Sequence, residues 1–305
     1  MKENAAAMVL ACFAADSLAL GVHWIYDTAL IDKQFGRVEH LLKPSGKSYH
    51  PTKDRGELTH YGDQTLMLLD LLAGGRGFNL ENFSRNWQDL FITYQGYRDQ
   101  ASRRTLENFK SGKGPHESGS PSADLGGAAR ITPLVYYYRQ DPNRLFAASR
   151  DQTAMTHNHP HVIDSAEFFG RTALKALHGT SPAAAVKSVV AENFNRPPFD
   201  QWVSAGFASA GMETRTAISG FGQMCEIGAA FPAVIHLLAR YEDNLKEALV
   251  ENVMAGGDSA ARGMITGMML GAYLGMEAIP ADWLAGLKTR ATVMRALSRI
   301  DSQRK

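Results

Sequence analysis

The sequence predicts an all-α protein built as one large helical domain over residues 1–305, and three observations lead there. Apolar residues recur at helical spacing, no segment alternates as a half-buried strand does, and the stretches between the apolar stripes are rich in Gly, Pro, Ser and Asn. Length alone, at about 150 residues per domain, argues for two domains. Against that, no stretch is long or biased enough to act as a linker and no repeat recurs, so a single core is expected.

In chain order, the first element is the apolar run Ala5 to Leu20. It imitates a secretory leader, but Glu3 spoils the basic start, Asp16 interrupts the run, and the pattern continues past any cleavage point. A buried first helix is the expectation. Lys43 to Gly56 reads as a loop, and Phe83, Trp87, Leu90, Phe91 and Tyr94 then fall on one helical stripe. Ser111 to Ser122 and His157 to His161 read as loops. Phe169, Ala173, Ala176 and Leu177 form the next stripe, followed by Val186, Val189, Val190 and Phe194. Arg196 to Phe199 and Ser204 to Gly222 read as loops before the stripe Ile227, Phe231, Val234, Ile235 and Leu238. Leu245 to Val253 and Val293 to Ile300 complete the set. Gly263, Gly267, Gly271 and Gly275 stand four apart and give one helix a face without side chains. Each glycine costs roughly 1 kcal/mol against alanine in a helix, so another backbone must approach closely there. That makes it the expected central helix. Its apolar span is well short of the roughly 20 residues a bilayer requires.

Composition excludes whole classes of function. Hydrophobic residues at 45% and charged residues at 21% are those of an ordinary soluble domain. Lys+Arg of 32 against Asp+Glu of 31 gives a net charge of +1, so no global field recruits nucleic acid or an acidic membrane. Cys12 and Cys225 stand far apart with no CxxC, which argues against a disulfide framework and a thiolate zinc site and fits a reducing cytoplasm.

Three carboxylates lie inside apolar stretches, where an unpaired charge is expensive. They are Asp16 in Ala14-Ala15-Asp16-Ser17-Leu18, Asp63 in Tyr61-Gly62-Asp63-Gln64-Thr65, and Asp258 in Gly256-Gly257-Asp258-Ser259. Asp63 and Asp258 each precede an apolar helix and are followed by a hydroxyl residue, Thr65 and Ser259. Two readings fit that pattern: N-caps that accept backbone N–H bonds, or oxygen ligands converging on a hard cation such as Mg²⁺.

With these segments the chain resembles the ADP-ribosylglycohydrolase superfamily, and within it the J1-crystallin branch. Gly256-Gly257-Asp258-Ser259 with the glycine helix is similar to that family's GGDTDT segment, and Gly62-Asp63-Gln64-Thr65 falls where the family has TDDT. Asp16 falls on the Asp of an N-terminal GDALG segment. Gly126-Gly127-Ala128-Ala129-Arg130 and Thr156-His157 match a glycine-rich segment and a TH dipeptide. The J1-crystallin likeness lies in Asp258-Ser259-Ala260-Ala261-Arg262 and in Ala15-Asp16 ahead of Val22-His23-Trp24-Ile25-Tyr26-Asp27. The resemblance implies an orthogonal helical bundle that removes ADP-ribose with a pair of Mg²⁺ ions. Two of the family's carboxylate positions are Gln64 and Ala260 here, so at most one weakly held Mg²⁺ is expected.

The expectation that follows is a hydrolase of an N- or O-glycosidic bond in a small ribosyl or ADP-ribosyl substrate, or else a non-catalytic, crystallin-like binding or structural protein. Asp63, Asp258 and Asp16 are the candidate catalytic carboxylates, and Asp63, Thr65, Asp258 and Ser259 the candidate metal ligands. Arg262, four residues after Asp258, either pairs with it on the surface or substitutes for a lost cation. Arg130 is a candidate phosphate partner. His157, His23 and Trp24 are candidates for lining the pocket, set against the alternatives of polar loop and core.

Overall fold

The computed structural model describes residues 2–303, with side chains from Asn4 onward. All regular elements among these residues are helices, and extended pairing is confined to two isolated bridges, Ser120 with His157 and Asp124 with Glu226. The all-α class read from the sequence is the observed one.

At the centre the helices Lys2–Leu20 and Ser259–Leu274 run antiparallel along their full length. Ala7, Ala11 and Ala15 stand four apart on the first and meet Gly263, Gly267 and Gly271 on the second. A Cβ on Gly267 would sit 2.6 Å from the Ala11 carbonyl oxygen, and one on Gly271 would sit 2.7 Å from the Ala11 Cβ. The glycines are therefore required by contact, and the close approach offsets their helix cost. Asn4 pins the far end, its Nδ2 donating to the carbonyls of Ala272 at 3.2 Å and Tyr273 at 3.3 Å.

Pro160–Leu177, Ile227–Arg240 and Leu245–Met254 pack around Ser259–Leu274, while Thr132–Tyr138 and His60–Ala73 lie against Lys2–Leu20. Interlocked rings seal this layer: Phe231 lies 5.0 Å from Phe168 and 4.9 Å from Phe169, centroid to centroid. One stretch departs from expectation. Residues 204–222 are largely helical, in Phe199–Ala208 and Thr214–Phe221. Gly206 is a packing glycine, since a Cβ there would stand 2.5 Å from Ile235 Cβ. Glu213 caps the second helix through the amides of Arg215 and Thr216. Among the described residues no helix is long and apolar enough to cross a membrane.

Replacing Gly267 by alanine should lower stability by about 1–3 kcal/mol through overpacking, although alanine is the better helix former by up to about 1 kcal/mol. Urea denaturation checks this. An unchanged or higher midpoint would mean that the two backbones do not press together at Ala11.

Candidate active site

The antiparallel pair carries the end of one helix to the start of the other. Chain leaving Leu20 passes through His23 and Trp24 directly over Asp258, the N-cap of Ser259–Leu274. Trp24 N–H donates to Gly257 O at 3.0 Å and Gly257 N–H to Ile25 O at 2.8 Å. Gly256 and Gly257 both have positive φ, +72° and +67°, and a Cβ on Gly257 would lie 2.2 Å from Gln223 O. Only glycine fits this double turn. Arg262, fully buried, clamps it: Nη2 donates to Gly256 O at 2.6 Å, Nη1 to Gln223 O at 3.1 Å and Nε to Asn252 Oδ1 at 3.1 Å.

A second wall comes from the start of His60–Ala73. Its N-cap Thr59 is held by buried Asp16, which accepts from Thr59 N at 2.7 Å and Thr59 Oγ1 at 2.5 Å. Gly62 leaves room for that carboxylate, because a Cβ there would fall 2.3 Å from Asp16 Oδ2. So fixed, the first turn directs Tyr61 and His60 inward. The Tyr61 hydroxyl lies 2.9 Å from Asp258 Oδ2 and 3.1 Å from Asp124 Oδ2. His60 Nε2 lies 3.3 Å from Asp99 Oδ2, off the axis a hydrogen bond needs, and its Nδ1 is 3.4 Å from His50 Nε2.

Asp124 belongs to a loop held on both sides. Ser120 N–H donates to Thr156 O at 3.0 Å and Asn158 N–H to Ser120 O at 2.7 Å. Leu125 N–H donates to Cys225 O at 2.8 Å and Ile227 N–H to Ala123 O at 2.7 Å. Gly126 N–H caps Asp124 Oδ1 at 2.7 Å. Asp124, Cys225 and Asp258 thereby bring ligating atoms within 4.8 Å of one another. Asp124 and Cys225 line a cavity of about 320 Å³ together with Trp24, Tyr97, Asp99 and Glu226.

The charges here are unequally compensated. Burial and the neighbouring Asp258 push the Asp124 carboxyl up to about 7, against the Gly126 amide. Burial also raises Asp99, but the His60 contact overrides it and holds this carboxyl below its ordinary range. Asp16 is pushed up to about 6 by burial, less the effect of the two Thr59 donors. Burial keeps His23 neutral, with His60 and Arg262 acting in the same direction. A single hydrogen on Tyr61 serves two carboxylates, so the pair and the hydroxyl form one proton-sharing unit.

Of the residues singled out in the sequence, Asp258, Trp24 and His23 meet here: Trp24 Nε1 donates to Asp258 Oδ2 at 3.2 Å, and His23 Nε2 stands 4.0 Å from Asp258 Oδ1. Asp16 and Arg262 stand behind the site and hold its walls. Arg262 is neither a surface residue nor hydrogen-bonded to Asp258; its donors go to Asn252 and two carbonyls. Asp63 is engaged elsewhere, 2.5 Å from both Lys53 Nζ and the Tyr94 hydroxyl. Thr65 donates back to Tyr61 O at 2.8 Å, and the Ser259 hydroxyl is buried without a hydrogen bond. Arg130 is buried against Gln64 and Thr156, and His157 Nδ1 lies 2.9 Å from Thr156 Oγ1. Tyr61, His60, Asp99, Asp124 and Cys225 were not read as site residues. Asp124 carried a signal, since it stands two residues before Gly126-Gly127, and Asp99 precedes a helix as its N-cap.

The pair of Mg²⁺ ions implied by the resemblance does not fit these donors. Mg²⁺ asks for hard oxygens in octahedral array. Asp63 already holds an ammonium, both oxygens of buried Asp16 accept from Thr59, and the third donor beside Asp124 and Asp258 is a thiol that burial raises and keeps protonated. Lys53 supplies to Asp63 the positive charge a metal would bring. Millimolar Mg²⁺ or excess EDTA should leave the melting temperature unchanged, read by calorimetry. Stabilisation of about 2.7 kcal/mol, as for an ion at one hundred times its Kd, would reverse this assignment.

Comparison with known proteins agrees with this architecture. The ADP-ribosylglycohydrolase family profile matches residues 1–305. Crystallin J1A of Tripedalia cystophora is 26% identical over 93% of this chain and 92% of its own, and crystallin J1B is 24% identical over 98% and 97%. A solved structure described as an ADP-ribosylglycohydrolase-related protein complex superposes with a TM-score of 0.78 at 20% identity, covering 100% of this chain and 99% of that one. With a match over its whole length and this fold, the chain belongs to the ADP-ribosylglycohydrolase family, a family of hydrolases.

Proposed function

We propose that this protein hydrolyses a glycosidic bond at the anomeric carbon of a small ribosyl or ADP-ribosyl substrate. The observation that carries the reading is the Tyr61 hydroxyl set between Asp124 and Asp258 beside an aromatic-walled cavity. Asp124 lines the cavity and its carboxyl titrates near neutrality, which suits a general base that takes the proton of the attacking water. Asp258, 1% exposed, lies behind Tyr61 as the second carboxylate of the pair, placed to stabilise the oxocarbenium-like transition state. Tyr61 holds the two carboxylates together and donates its hydrogen bond to whichever bears the charge, itself staying protonated because burial and the two carboxylates push its hydroxyl well above the ordinary range.

In this reading Trp24 is a binding wall, and Asp16, Arg262, Arg130 and His157 are positioning residues. Asp16 sets the turn that aims Tyr61. Arg262 fixes the double-glycine turn under Trp24, and Arg130 with His157 holds Thr156, whose carbonyl anchors the Asp124 loop. No step passes through a metal. Free Cys12 and Cys225 suit a reducing cytoplasm. A second reading, a stable protein without turnover, is favoured by the two full-length relatives named as crystallins.

Turnover of ADP-ribosyl and ribosyl conjugates, followed by release of the sugar, separates the two. Asp124 must be ionised to accept a proton, so kcat/KM should be low below pH 7 and rise to a plateau above it, following the raised carboxyl at about 7. Asp124→Asn should lower kcat/KM by about 10²- to 10⁴-fold with an unchanged fold. A flat pH profile, or full activity in the variant, would remove Asp124 as the base. Absence of turnover across the conjugates would favour the second reading.

A further inference from the structure

We infer that the cavity beside Asp124 binds a flat cationic nitrogen heterocycle, of the N-alkylated pyridinium class, as the leaving group of the glycosidic bond. The inference rests on the hydrolase reading above and names the substrate class of that same site. Trp24 is the first reason. It is held at φ +66°, a conformation side-chain-bearing residues rarely adopt, and its indole is braced edge-on by Tyr97 at 4.9 Å and Tyr49 at 5.0 Å. Strain of this kind persists only where the surroundings enforce it, and what it achieves here is an aromatic wall on the cavity.

The second reason is charge. Asp99, Asp124 and Glu226 line the cavity with no Lys or Arg among its lining residues. Asp99 is 5% exposed and is answered only from behind, by His60 Nε2 at 3.3 Å from Oδ2 and by the Ser102 amide at Oδ1. The guanidinium groups of Arg130 and Arg262 are spent on Gln64, Thr156, Asn252 and main-chain carbonyls. The exposed Arg103 lies over the Tyr97 ring at 5.6 Å, so this aromatic group already attracts positive charge. Aromatic faces joined to carboxylates in a lining without Lys or Arg are the chemistry that recognises quaternary nitrogen.

The third reason separates a quaternary ring from an ammonium or guanidinium rich in N–H. Asp258 accepts from Trp24 and Ala261, Asp124 accepts from Gly126, and the two share the single hydrogen of Tyr61. The oxygens of this pair are thus already engaged by donors, which leaves their charge to attract a cation that donates nothing. The chemistry balances without a general acid. The water oxygen bonds to the anomeric carbon, the C–N bond breaks with its electron pair returning to the ring nitrogen, the ring leaves neutral, and the water proton passes to Asp124. Release follows, because the neutral product loses the attraction that held the cation.

Equilibrium titration of the full chain with 1-methylnicotinamide, followed by tryptophan fluorescence and calorimetry, tests this against nicotinamide, its neutral counterpart. The cation should bind saturably and at least about tenfold more tightly, equivalent to roughly 1.4 kcal/mol. Trp24→Leu and Asp99→Asn should each reduce that preference, with melting curves identifying any variant that fails to fold, and Tyr97→Leu provides a third probe of the wall. Equal affinities, or no binding of the cation, would overturn the inference even if ribosyl conjugates are hydrolysed, in which case the hydrolase reading stands alone. Selective cation binding without turnover of any ribosyl conjugate would uphold the pocket and overturn its role as a leaving-group site together with the hydrolase reading.

Discussion

The close approach of Lys2–Leu20 to Ser259–Leu274 is the constraint on which the rest of the molecule depends. Alanine every fourth residue on one helix against glycine every fourth on the other lets main chain meet main chain, with Gly267 directly over the Ala11 carbonyl. Because the helices are antiparallel, the exit of the first coincides with the entry of the second. His23 and Trp24 therefore come to Asp258 across more than two hundred residues of sequence, as the Trp24 Nε1 to Asp258 bond shows. Side chains on that seam would separate the helices and take Trp24 away from Asp258.

Burial of charge then decides which groups remain reactive. Removing an ion from water costs several kcal/mol unless it is paired and hydrogen-bonded, and most of the buried charges here are answered locally. Asp16 has Thr59, Asp63 has Lys53 and Tyr94, Arg262 has three oxygens, and Arg130 has Gln64 and Thr156. These groups are paired where they stand. Asp124 has a single cap from Gly126, a shared hydroxyl and a carboxylate neighbour, so its charge is the one left poorly compensated. The same accounting places Lys53 at Asp63, where an ammonium on a flexible stem supplies positive charge without a coordination geometry.

Helical periodicity made most of the fold legible. The stripes at Phe83 to Phe91 and Ile227 to Leu238 lie in helices, with Tyr94 just past the end of the first at Ile92, and the glycine repeat marks the central one. Glycine and serine content alone suggests a loop over residues 204–222, whereas the role of Gly206 depends on Ile235, which is nearby only after folding. The site was legible where a local rule exposed it: Asp258 and Arg262 through the double glycine, Asp16 through its charge in an apolar run. Asp63 drew attention for the same reason as Asp16. At 100° per residue, however, it lies nearly opposite Tyr61 on the helix. The side facing Asp258 therefore belongs to Tyr61, an aromatic residue that a search for carboxylates passes over.

What remained hidden shares a physical character. Asp124, Cys225 and Asp99 lie in or beside loops whose positions come from single main-chain bonds, Leu125 to Cys225 and Ile227 to Ala123 among them. Such pairings leave no periodic trace in sequence, since they are made by backbone common to all residues. The helices provide rigidity that can be read from spacing, and the loops they hold provide chemistry that cannot. The carboxylates, the tyrosine and the thiol of this cleft lie at the end of the alanine and glycine seam and take no part in it, so the packing that fixes the fold is physically separate from the groups that fix the chemistry.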